Sequence, residues 1–464
     1  MIRAARPEIT ARPEMVVAPH IEEADRREVQ PLIQRDALKE YAGGSLWVWP
    51  AAWALVALLA GTTLSRIRVG PRSIFAPLAF QGTGDDARTL LITIASTVVT
   101  VIALVLGLTV VALQLSSTQF SPRLLRNFLR DRATQRVLSV FLATFVYSAA
   151  GLYTVGVSSG GRTEDFPRLA VTVAILLLFA SLAMVVYFAD HLAHSIQIDA
   201  IIGLVQRGTL EVIRDKPGVV EEPTPVAPAW AVTLTASRSG YVETAHPGVI
   251  LPEARRQDVR VLLRARVGQH VVAGTTLAWI WRASPEDPAP EPSAFVKPID
   301  AAVRIGFERT LQQDAAFGIR QLVDISCKAL SPAVNDPYTA VQAIDHLSVI
   351  FCALAVRPLG DDIVQDGAWV AVIVPGRRFG DYLAVMCGLI RRYGAKEPSV
   401  SLALIRLLEN CAAVIRDDPK RTAAIDEQAA LILADAEREI AQLADALAVR
   451  TATNELRAGL GESR

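Results

Sequence analysis

Charge is what this 464-residue chain lacks over a long stretch: from Leu46 to His191 it nearly vanishes, apart from short islands that carry arginine. A segment so poor in charge does not belong on a water-facing surface. Cysteine is scarce as well. Cys327, Cys352, Cys387 and Cys411 stand tens of residues apart with no C-x-x-C pair, each inside an apolar helical pattern. They read as small buried hydrophobes in a reduced compartment, and no disulfide framework is implied. Net charge is missing too, with 47 basic and 47 acidic residues. Without a long basic block there is no footprint for nucleic acid. No Ser-His-Asp order, glycine-rich phosphate loop or H-E-x-x-H occurs. Nothing therefore argues for an enzyme, and no catalytic residue or cofactor is expected.

What the chain does have is apolar length. Hydrophobic residues make up 52% of it. Four runs, Leu46–Leu64, Leu90–Leu115, Val137–Val157 and Leu169–Phe188, approach or exceed the roughly 20 residues a helix needs to cross a hydrocarbon core. Trp47, Trp49 and Trp53 in the first run suit a membrane interface. About forty polar residues precede that run, the wrong order for a cleavable leader. The loop between runs two and three carries Arg123, Arg126, Arg130, Arg132 and Arg136, against Arg162 and Arg168 between three and four. Arg66, Arg68, Arg72 and Arg88 follow run one, Arg35 and Lys39 precede it, and Arg207, Arg214 and Lys216 follow run four. The balance favours both termini in the cytoplasm. The bilayer itself is the first partner this implies.

Two features of the runs bear on function. In the second, Thr93, Thr97, Thr100, Gly107, Gln114 and Thr118 recur on one helical face. Small and hydroxyl-bearing residues on a stripe let helices approach closely. The same stripe lines a watery path if several copies gather about an axis. At the end of the fourth run, Asp190, His191 and His194 fall within about one turn and form a weak metal-ligand candidate with no obvious fourth ligand. The arginine-rich "SSTQFSPRLLRNFLRDRATQR" reads as an amphipathic hairpin near lipid headgroups.

The expected organisation is a polar tail (1–45), a four-helix transmembrane domain (46–193), a helical extension (194–216) and a linker (217–228). A small β-barrel (229–283), a proline-rich linker (284–293), a helical α+β domain (294–417) and a C-terminal amphipathic helix (418–464) follow. The barrel expectation rests on "GYV" and "VGQHVVAGTTL", which resemble lipoyl and biotinyl carrier domains. Such carriers present a modified lysine on a hairpin, here "HPGVILPEARRQ". No lysine lies between Lys216 and Lys297, so a carrier role is excluded. In the helical domain, "KALSPAVNDPYTAVQAIDHL" carries prolines that stop one helix and start the next, with Asp336 as cap. Its competing reading is a polar ligand site made by Arg309, Asp314, Asn335 and Asp336.

"LTVVALQLSSTQFSPRLL", "SGYV", "FERTLQQDAAFGIRQLVDISCKALSPAVNDPYTA" and "IRRYG" together resemble the bacterial predicted membrane proteins grouped as domain of unknown function 2254. The resemblance covers roughly Trp47 to Arg450 and implies architecture, not catalytic residues. Two functions fit the pattern. One is an oligomeric channel or transport-related protein with a regulatory cytoplasmic body. The alternative is a membrane-anchored sensor or scaffold that binds a cytoplasmic ligand or partner without enzymatic chemistry.

Overall fold

The computed structural model describes residues 47–66, 79–119, 132–156, 167–195, 197–215, 223–415 and 418–462. The polar tail, the segment around Ser121–Arg130 and most of the basic residues used to orient the spans lie outside the described residues, as does the side chain of Thr118. The chain divides into two compact units, one of Met1–Val105 with Arg126–Phe188, the other of Leu106–Leu125 with Ala189–Arg464.

The apolar runs form α1 (Val48–Leu64), α2 (Gly84–Gln119), α3 (Arg132–Gly156) and α4 (Arg168–Ser195). At 17 residues α1 just reaches spanning length, and α2 to α4 exceed it. These are the four apolar spans. Within their unit, α3 is the hub. Gly61 of α1 sits so close to it that an added Cβ would lie 3.0 Å from the Ala150 Cβ. Thr144 of α3 and Ser181 of α4 share a hydrogen bond of 2.9 Å, and the Tyr147 hydroxyl donates to the Ala170 carbonyl at 3.1 Å. Small residues at the crossing and hydroxyls across it are the contacts that hold helices together where water supplies no drive.

The second unit opens with α5 (Ile198–Asp215), whose Ile201, Ile202, Val205, Thr209 and Ile213 are buried at helical spacing. Its strands are β1 (Val232–Thr235), β2 (Gly240–Ala245), β3 (Arg260–Leu263), β4 (His270–Val271) and β5 (Thr276–Trp281). Later come β6 (Val303–Gly306), β7 (Asp362–Asp366) and β8 (Val370–Val374). The expected small lipoyl-like barrel does not form. These strands make two open sheets, ordered β1-β5-β3-β8-β7 and β4-β2-β6. The physical reason is long-range pairing. The free edge of β3 is taken in parallel by β8, with Val261 opposite Val372, so the local strands cannot close on one another. The segment expected as the carrier hairpin is instead a helix, α6 (Pro247–Gln257), started by Pro247. With α7 (Val296–Ala302) it covers the larger sheet, and Ile250, Ala254, Phe295 and Ile299 pack with Val261, Ile280 and Val372.

The remaining helices are α8 (Ala315–Ala329), α9 (Pro337–Ala355), α10 (Phe379–Tyr393), α11 (Pro398–Val414), α12 (Pro419–Glu439) and α13 (Leu443–Glu462). The tail expected as one amphipathic helix is two, interrupted after Glu439. Ile425 and Ile440 are buried, whereas Leu443 and Leu447 are exposed. α9 matches a membrane span in length and composition, yet Ala340, Ile344, Leu347, Ile350 and Phe351 are fully covered by protein.

Candidate functional site

The threonine stripe of α2 points away from the contacts its own chain makes. Ala87, Leu91, Ile94, Val98, Val105 and Ala112 form the buried seam of the helix, while Thr93, Thr97, Thr100, Gly107 and Gln114 are all exposed on the far side. Thr93 donates to the Thr89 carbonyl at 2.8 Å and Thr100 to the Ser96 carbonyl at 3.1 Å. Those hydroxyls are satisfied by their own helix, so they can face lipid, another helix or water. A Cβ added to Gly107 would meet nothing within 4 Å. Within this chain, close helix contacts are made at Gly61 and at Thr144 with Ser181.

At the end of α4, His194 and Asp190 face each other across one turn. The His194 Nδ1 is 2.8 Å from the Asp190 carbonyl and 3.4 Å from its carboxylate, with both side chains largely exposed. His191 lies beside them and has its own interactions. Among the described residues, no group of three or more His, Cys, Asp or Glu comes together in a way that could hold a metal ion.

Arg309, Asp314, Asn335 and Asp336 are split between the two ends of α8. Fifteen residues of helix separate them, about 22 Å at 1.5 Å per residue. At the far end, Asn335 adopts a left-handed φ of 51°, and the Asp336 N–H donates to the Ala329 carbonyl at 2.9 Å. Asp336 then caps α9, accepting from the Thr339 N–H at 3.1 Å and its hydroxyl at 2.6 Å. The Thr339 hydroxyl and N–H hold the Asp336 carboxyl below the usual range. These bonds give each unusual residue of that segment a part in the turn.

The near end is different. Asp314 is buried, accepts from the Phe317 N–H at 3.2 Å as cap of α8, and binds the Arg309 Nε at 2.9 Å and Nη2 at 2.6 Å. Burial pushes its carboxyl up, against the pull of Arg309 and then Arg377. Gly268, the first glycine of the carrier-like pattern, makes room for this pair. Its φ is +83°, and any Cβ there would stand 2.0 Å from an Asp314 carboxylate oxygen. Tyr382 of α10, also buried, has its hydroxyl pushed up to about 12 by burial and then by the Asp314 charge. Sequence spacing gave no signal that Arg266, Arg377 and Tyr382 join Arg309 and Asp314 here, because they come from three segments tens of residues apart.

A second cluster also escaped the sequence. Cys352 of α9 and Cys411 of α11 meet thiol to thiol. The hydrogen bond from Cys411 draws the half-buried Cys352 down to about 7, and the buried Cys411 goes up in consequence. Beside them, the Asn410 amide donates to the Ser348 hydroxyl at 3.0 Å.

Comparison with known proteins bears on the whole chain. The family model described as Predicted membrane protein (DUF2254) matches residues 43–410. Proteins of Mycobacterium bovis and of two strains of Mycobacterium tuberculosis, each described as an uncharacterized protein, are 43% identical over 425 residues, covering 89% of this chain and 80% of theirs. No solved structure matches.

Proposed function

Since this chain belongs to the DUF2254 family of predicted membrane proteins and is a multi-pass membrane protein, we propose that it acts as a homo-oligomer forming a membrane conduit. In this reading α2 turns its threonine face toward neighbouring copies. The observation that carries the proposal is the direction of that face. Thr93, Thr97, Thr100 and Gly107 all lie outward, with exposed side chains or surface. Small and hydroxyl-bearing residues there suit a second helix or a narrow water path better than acyl chains. No charged side chain joins the stripe, which argues for a weakly selective path and against a proton relay. The arginine distribution supports an inner-membrane placement with both termini cytoplasmic.

The test is the mass of the purified protein in mild detergent together with solute flux in liposomes. Oligomers and a measurable flux are expected. Gly107→Leu is the informative variant, because a Cβ added there meets nothing within 4 Å, so its main effect should fall on assembly or flux. A monomer whose liposomes stay sealed under voltage, tension and pH change would sink the conduit reading and select the anchored sensor or scaffold.

A further inference from the structure

Three guanidinium groups distant in sequence share one corner of the second unit. Arg266 follows β3, Arg309 precedes α8, and Arg377 lies between β8 and α10. Two carboxylates answer them. Asp314 binds Arg309 at 2.6 Å and uses its other oxygen on the N-terminus of α8. Asp381 stands 3.7 Å from Arg266 and accepts from the Arg378 N–H at 3.0 Å, occupying the N-terminus of α10. The face of the Phe317 ring, 5.2 Å from the Arg309 guanidinium, closes one side.

Arg377 is left over. It is half-buried and within electrostatic reach of Arg266, Arg309, Asp314 and Tyr382, yet it makes no hydrogen bond or close ion pair among the described residues. Burial, then the like charge of Arg266, pulls its pKa below the ordinary arginine value. A guanidinium does not give up its proton near neutral pH, so the surplus positive charge stays. Partial burial beside two like charges is unfavourable unless an anion answers it. Next in sequence to Arg309, Thr310 is buried with a hydroxyl that has no partner among the described residues.

We propose that this corner binds a phosphate-type oxyanion, gripped by Arg377 with help from Arg266 and Arg309. Guanidinium forks match phosphate oxygens in pairs, and donors arriving from three separate segments suit a tetrahedral group better than a planar carboxylate. Tyr382, protonated at neutral pH, adds a neutral polar group to the same corner. Gly268 keeps the turn after Arg266 pressed against the Arg309–Asp314 pair, which holds two of the three arginines in place. The proposal does not depend on the conduit reading, since it concerns the second unit alone. The phosphate could belong to a soluble molecule or to a lipid headgroup.

The experiment follows thermal unfolding of the full-length protein in detergent. One arm compares sodium phosphate with sodium chloride at equal ionic strength. The other compares micelles doped with phosphatidic acid against micelles doped with phosphatidylcholine, both in chloride. A saturable rise in unfolding temperature with inorganic phosphate assigns the site to a soluble phosphate, and a rise with phosphatidic acid alone assigns it to a headgroup. Arg377→Met should weaken half-saturation about tenfold or more, the loss expected for charge-assisted hydrogen bonds. In chloride it should unfold no earlier than the parent, because no partner is orphaned. Arg377→Lys keeps the charge without the fork and should bind more weakly than the parent. The proposal falls if neither phosphate source raises the unfolding temperature, or if Arg377→Met responds as the parent does.

Discussion

α4 and α9 are both long and apolar enough to cross a bilayer, and they meet opposite solvents. In α4, Leu176, Phe179, Leu182 and Val186 are each more than 60% exposed. In α9, Leu347, Ile350 and Phe351 are completely covered. The polar residues of α9 explain the contrast. Asp345 pairs with Arg406 at 2.6 Å, His346 with Gln206 of α5, and Ser348 with Asn410 at 3.0 Å. Each of those partners belongs to a helix that also covers part of its apolar surface. α4 carries no Asp, Glu, Lys or Arg between Leu169 and Ala189, and leaves large aliphatic groups facing outward. Composition measures how much a helix dislikes water. Whether lipid or protein replaces the water is decided by polar residues that require protein partners.

The comparison can be broken most directly at Phe351. Phe351→Ala should destabilise the second unit by about 3–5 kcal/mol, the usual cost of emptying a buried aromatic site. Leu182→Ala in α4 should leave that unit's denaturation midpoint unchanged, since its side chain faces outward. Tryptophan fluorescence during urea titration in detergent reads both, and equal effects would erase the distinction between the helices. Next in size is Gly61→Leu. Crowding a helix contact already at 3.0 Å should cost about 1–3 kcal/mol in the span unit, read as earlier loss of helical circular dichroism on heating in detergent. The smallest effect expected is that of Asp336→Ala, about 1 kcal/mol from the lost α9 cap. The carboxyl of Asp336 is lowered in the folded protein, so the cap's contribution is present above the ordinary aspartate value and fades as pH falls through the lowered one. The gap between parent and variant should therefore close in acid. The same substitution should leave any phosphate response untouched, because Asp336 sits a full helix length from Arg377's corner.

The spans were legible because hydrophobic runs and arginine islands are local features, readable in a window of about 20 residues. The joint at Ser331–Asp336 was legible for a similar reason: proline and a capping aspartate act on their immediate neighbours. The sheet was not. The valines and glycines of "VGQHVVAGTTL" satisfy a small-barrel pattern, but the partner that claims the edge of β3 arrives more than a hundred residues later. The same holds for the thiols. Cys352 and Cys411 each read as an isolated small hydrophobe, and only the packing of α9 against α11 brings their sulfurs together. Of the four residues of the candidate polar site, Arg309 and Asp314 meet in the fold. Asn335 and Asp336 were grouped with them because sequence proximity hides the length of a helix.

The sequence by itself determined that this chain enters a membrane, that one helix stops and the next starts at Ser331–Asp336, and that a carrier lysine is missing. Each of these follows from side chains acting within a few turns of their own position. Only the tertiary structure decided that α9 is a core helix and not a fifth span, that the sheets stay open, and that arginines from separate segments share one corner of the second unit. Those outcomes depend on which distant surfaces cover one another, and covering is a property of the folded whole because the free energy of burial is set by the neighbour, not by the residue alone.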